Sequence, residues 1–151
     1  MKSFYNVIDS IKTAVSAEPF NNNVSFGDIT DIDLSKQTIF PLAHIMVNNM
    51  TVEQQYVSFN VTLFLMDLVD VSNEQVTDLY RGNDNRQDIL NTQLAVVNRL
   101  IEKLRSGTLH QNKYQLDGSP SCEPFVDRFE NKIAGWATTL DILIHNDIYI
   151  C

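Results

Sequence analysis

Residues Tyr56 to Val69 alternate more strictly than any other stretch of the chain, and this restricts the fold before anything else is read. Val57, Phe59, Val61, Leu63 and Leu65 fall on one face of a strand, while Ser58, Asn60 and Thr62 begin the other. Successive strand side chains point to opposite faces, so the first set belongs against a core and the second faces water. From Phe64 onward the second face turns apolar too, at Phe64, Met66 and Leu68. A strand that is half-wet at its start and covered on both sides at its end implies a long sheet with something packed over one end.

Two helical patterns supply cover. Between Ser3 and Glu18, Phe4, Val7, Ile8, Ile11 and Val15 recur at helical spacing, with Ser3 as N-cap and Pro19 closing the segment. Between Arg86 and Ser106, Leu90, Leu94, Val97, Ile101 and Leu104 recur at spacings of four and three, and Ile89, Val96 and Leu100 widen the stripe. Asp84 and Asp88 near the start, Lys103 and Arg105 near the end, and Gly107 just beyond suit a helix dipole and its C-terminal stop. The spacing predicts that Leu94, Val97 and Ile101 pack on Val57, Phe59, Val61 and Leu63.

The remaining strand signals are weaker. Thr38 to Val47 reads as a strand with Pro41 at an edge or bulge, and Asn48 to Gln55 as the hairpin connection to the alternating strand. Asn21, Asn22 and Asn23 read as a turn, and Val24 to Leu34 as an irregular peripheral strand. Asp70 to Asn85 is polar enough for a long surface loop. Tyr114 to Leu116 is a short strand candidate, Asp117 to Pro120 a turn, Phe125 to Trp136 aperiodic, and Trp136 to Ile144 a strand. The sum is one α+β domain over residues 1–151: an antiparallel sheet of about four strands with a long hairpin and two helices on one face.

Residue chemistry excludes more than it assigns. A net charge of -8 with scattered Lys and Arg argues against gripping nucleic acid through its phosphates. The five glycines are too dispersed for a dinucleotide fingerprint or phosphate loop, since even the closest pair, Gly107 and Gly118, stand far apart. Cys122 and Cys151 read as thiols, and Glu123 beside Cys122 disfavours a thiolate nucleophile. No cofactor, metal site or enzymatic activity is expected. A hidden enzyme would require His44, His145 and either Asp67 or Asp141 to converge, and a small-molecule or protein-interaction module of the cytosol is the other alternative. No run is apolar enough for a membrane helix, and Asp9 interrupts any leader-like core, so the expected setting is a cytosol.

One stretch carries a resemblance. Glu123-Pro124-Phe125, then Arg128-Phe129-Glu130-Asn131-Lys132-Ile133-Ala134-Gly135-Trp136, the strand to Ile144 and the ending Asn146-Asp147 to Cys151 resemble small proteins encoded among the virion genes of crAss-like tailed bacteriophages. The order of elements is similar to the tail-terminator or tail-completion fold. The resemblance implies a structural protein of the head-to-tail neck, assembled in the host bacterial cytoplasm and ending in the virion. It would form a homo-oligomeric ring of six or twelve copies that joins the portal or adaptor to the tail proteins, with DNA only passing through the channel and no membrane involved. An acidic channel wall would repel DNA phosphates and let the genome slide. The expected contacts between copies are the Asp70 to Asn85 loop, the strand end at Phe64, Met66 and Leu68, and the apolar segment Ile148, Tyr149 and Ile150. A long basic arm for gripping a neighbour is not seen in the sequence.

Overall fold

A computed structural model describes residues 4–19, 21, 23–27, 40–69, 86–107, 109, 114–128 and 133–145. Its elements run α1 (Phe4–Ser16), β1 (Asn23–Phe26), β2 (Leu42–Val52), β3 (Tyr56–Leu68), α2 (Arg86–Arg105), β4 (Gln115–Arg128) and β5 (Ile133–His145). The strands form a five-stranded sheet in the order β1-β2-β3-β5-β4. The architecture is α+β, as expected, but the sheet has five strands rather than about four and is mixed rather than antiparallel, because β1 pairs parallel to β2.

β3 organises the sheet. Its register with β2 on one side and β5 on the other places Val57, Phe59, Val61, Leu63 and Leu65 in line with Leu140, Ile142 and Ile144 and with Ala43 and Ile45. These residues join Val7, Ile11 and Val15 of α1 and Val96, Val97, Leu100, Ile101 and Leu104 of α2 in one buried core. Both helices therefore lie on the same sheet face. Of the α2 residues expected on the sheet, Val97 and Ile101 are buried there and Leu94 is not: it is 41% exposed, while Val96 and Leu100, at the expected widening of the stripe, are buried. Leu94 stands at the margin of the apolar stripe of α2, so spacing alone could not show which edge turns toward the sheet. Trp136 decides the matter at the N-terminal half, where its indole Nε1–H donates to the Leu90 carbonyl at 2.7 Å.

Several boundaries move for identifiable reasons. β2 begins at Leu42, after a cis Phe40–Pro41 bond, and continues to Val52, so the hairpin connection shrinks to residues 53–55, closed by Glu53 N–H on the Tyr56 carbonyl at 2.9 Å. Pro41 thus sits outside the ladder it could not donate to, and its carbonyl accepts the Asn23 N–H. β1 ends at Phe26, just before Gly27, whose φ of 126° few other residues adopt. The expected turn at Asp117 to Pro120 is an irregularity inside β4, where the register slips between Asp117 and Ser121 and Gly118 takes φ 68°. The stretch from Phe125 to Trp136, aperiodic in sequence, supplies the end of β4 and the start of β5. The expected loop Asp70 to Asn85, most of the Val24 to Leu34 strand and the 129–132 connection lie outside the described residues.

Gly135 is required by close approach. A Cβ built there would stand 1.9 Å from the Leu65 carbonyl oxygen and 2.8 Å from Met66 Cα. On the face away from the helices, Gly135 lies between Met66 and Phe125 in register.

Candidate functional site

The helix-free face of the sheet divides into two halves. At one end Phe40, Leu42, Phe64, Met66, Phe125 and Ile133 make a second buried cluster, with Met46, Leu68 and Ala137 packed at its margin. The Phe64 and Phe125 rings meet edge-on at 6.3 Å. This is the covered end that the alternation in β3 anticipated. The cover comes from within the chain, however: Phe64 is 8% exposed and Met66 is 0% exposed. Phe64 and Met66 are thus buried within the single chain. Leu68 stays half-buried at the margin, and Ile148, Tyr149 and Ile150 lie outside the described residues.

The other half of this face is polar and connected. Asn48, at the register shift in β2, donates from Nδ2 to Asn60 Oδ1 and to Thr62 Oγ1, each at 2.7 Å. Asn60 Nδ2 in turn donates to Asp141 Oδ1 at 2.9 Å, and the Thr62 and Thr139 hydroxyls approach to 3.4 Å. The chain of bonds crosses three strands, and each polar side chain in it holds the next. Asp117 stands directly opposite Asp141 in the β4–β5 ladder, and Glu123 lies on the same face of β4, opposite Ala137. Among the described side chains this face carries these acids and no Lys or Arg. Sequence reasoning missed the network because Asn48 had been assigned to a connection rather than to a strand; the Asn60–Thr62 alternation was the available signal.

The histidines do not meet. His44 is buried in β2, with Nδ1 hydrogen-bonded to Ser25 Oγ at 2.8 Å and Nε2 donating to the Gly27 carbonyl at 2.8 Å. It clasps the short β1 strand to the sheet. His44 pairs with Phe64 and His145 with Tyr56, eight residues apart along β3, which is about 27 Å of strand. Asp67 lies on the helix face, away from both His44 and Asp141, and burial pushes its carboxyl above the ordinary value against the smaller effect of the Leu68 N–H it accepts. The convergence that a hidden enzyme would need is absent among the described residues, which also hold no cluster of three or more metal-ligating side chains.

Beside α1, Asn6, Asp9, Ser10, Thr13, Ala14, Ala17, Lys103 and Leu109 line a shallow open depression of about 440 Å³. Apart from Lys103 of α2, its polar side chains come from α1, and Lys103 is drawn toward the Ala14 carbonyl at 3.5 Å and Glu18 at 3.7 Å. No family model and no curated protein matches this chain.

Proposed function

We propose that this chain is a virion structural protein of the phage head-to-tail connector, a tail-terminator-like subunit forming a ring of six or twelve copies between the portal or adaptor and the tail, with its helix-free sheet face toward the DNA channel. The observation that carries this reading is the acidic polar half of that face, where Asp117, Glu123 and Asp141 lie. Asp117 and Asp141 stand opposite one another, an arrangement that costs a sheet stability. Fixing Asp141 through Asn60 and Asn48 keeps the negative charge in place on a surface that passing duplex DNA would not stick to. A net charge of -8 per chain is multiplied around a ring. The α+β sheet with its long β2–β3 hairpin and helices on one side also suits the resemblance drawn from the stretch Glu123 to Cys151.

The mass of the full chain in solution tests the proposal. A particle of six or twelve copies with a central hole in electron micrographs is the expected result, alone or after mixing with portal particles. A monomer under both conditions overturns it. The second reading, a small-molecule or protein-interaction module, rests on the depression beside α1, and a monomer that binds a ligand there would favour it.

A further inference from the structure

β4 closes one side of the sheet, and among the described residues no strand lies beyond it. It runs for 14 residues, and Ser121, Glu123 and Pro124 along it are exposed. A long exposed edge offers a row of backbone N–H and C=O groups to any extended segment, including the same edge of a second copy. What β4 offers depends on which of its residues turn their backbone outward.

The pairing with β5 decides this. In an antiparallel ladder alternate residues bond to the neighbouring strand, and those between them point away. Pro124 stands opposite Trp136 and has no N–H, so it belongs to the outward set, and with it Cys122 and Val126, opposite Thr138 and Ala134. Ser121, Glu123 and Phe125 are then the residues that bond to β5.

The ladder breaks on both sides of this run. Gly118, Ser119 and Pro120 stand against Leu140 alone where the register slips between Asp117 and Ser121, and Gly118 takes φ 68°. The register slips again between Val126 and Arg128. Such irregularities bend and twist an edge away from a straight partner. The longest unbroken run on the outer edge is therefore Ser121 to Val126, and Pro124 is the middle one of its outward positions. An incoming strand would meet the pyrrolidine ring where it needs a donor, and would bury a carbonyl with nothing to bond.

We propose that Pro124 guards the β4 edge, blocking strand addition by a second copy of this chain at the one run long enough to accept it. The exposed carboxylate of Glu123 reinforces the block, since two copies would bring like charges together. Contacts between copies, in a ring or otherwise, then use surfaces other than this edge. The proposal does not depend on the ring reading.

Amide hydrogen exchange of the full parent chain reads the geometry, and Pro124→Thr reads the guard. In the parent, the Cys122 and Val126 amides should exchange at least about tenfold faster than those of Ser121, Glu123 and Phe125. Threonine supplies the missing N–H, suits a strand, and enters at an exposed position that leaves the core alone. Each chain has one β4 edge, so pairing through it closes at two copies. Pro124→Thr should therefore reach twice the parent's mass at protein concentrations about tenfold or more below those at which the parent does so. The Cys122 and Val126 amides should become protected as it does. Pro124→Val repeats the test with a second strand-forming side chain, and the parent's amides decide even where neither variant folds. Slow exchange at Cys122 and Val126 in the parent means that the edge is already occupied. An unchanged mass in the folded variants, or a doubling that leaves these amides open, means that Pro124 holds nothing off there. Each of these overturns the proposal.

Discussion

Glu18 Oε2 accepts a hydrogen bond from Arg99 Nε at 2.7 Å, joining the end of α1 to α2 across 81 residues of sequence. The carboxylate is only 7% exposed, while Arg99 and Lys103, its second partner at 3.7 Å, keep much of their side chains in water. The asymmetry sets the expected mutational response. Removing the cation strands a buried charge, whereas removing the carboxylate frees cations that water can solvate. Arg99→Met should cost about 2 kcal/mol in urea unfolding, and Glu18→Gln distinctly less. A double-mutant cycle should show coupling of about 1 kcal/mol between them; equal single costs with no coupling would mean that the clamp is ornamental.

The face of α2 is testable by paired truncation. Leu100 is 4% exposed and packs in the main core, whereas Leu94 is 41% exposed. Leu100→Ala should lose about 2–5 kcal/mol, the range for buried leucines. Leu94→Ala should stay within about 0.5 kcal/mol, as surface changes do. The same denaturation series reads both, and a reversed order would restore the helix face that the sequence spacing alone suggests.

β3 was legible because one of its faces is apolar from end to end, so its period survives in the sequence. β4 was not: Gly118, Pro120 and Pro124 carry turn chemistry, and only the pairing with β5 draws them into a strand. A ladder can hold Pro124 only with its nitrogen turned away from the neighbour, as at the sheet edge β4 occupies. Phe125 and Ile133 hid the alternation further, since both are buried on the face away from the helices. β1 is four residues long, too short to show a period, and its place depends on the His44 clasp. The polar network of the candidate site was unreadable for a related reason. Asn48, Asn60 and Asp141 acquire meaning only once the register brings them together.

Gly135 gives a steric prediction. The Cβ of Gly135→Ala would collide with the Leu65 carbonyl oxygen at 1.9 Å, and a central ladder cannot yield without separating β3 from β5. The loss should exceed about 2 kcal/mol. Gly118→Ala meets nothing within 4 Å, so its cost should be limited to holding a positive φ, about 1–2 kcal/mol. Gly118→Asn should cost less again, and thermal unfolding of the three variants checks the order.

Asp67 makes stability depend on pH in an unusual direction for a carboxylate. Burial raises its value in the folded state, so between the unfolded and folded values the native chain holds the extra proton. Stability from this group is present at low pH and is lost as pH rises through that window. Asp67→Asn keeps an oxygen to accept the Leu68 N–H and removes the charge. The variant should therefore be more stable than the parent at neutral pH, with the difference vanishing in acid. A difference independent of pH would show that the carboxyl is not titrating in its buried setting.

The acidic sheet face gives the prediction closest to function. Asp117 and Glu123 are exposed on the helix-free side of β4, so Asp117→Lys together with Glu123→Lys reverses the charge without disturbing the core. Asp9 and Glu102 lie on the helices, and Asp9→Lys with Glu102→Lys makes the same change in net charge elsewhere. If the sheet face lines a DNA channel, the first pair should let chains assemble but slow genome release from the particle, and duplex DNA should bind the isolated assembly with an affinity that falls steeply with salt. The second pair should assemble and release DNA at the parental rate, because its charge is remote from the channel. The comparison depends on location and not on total charge. Equal effects on release from the two pairs would remove the sheet face from the channel wall and, with it, the observation on which the ring reading rests.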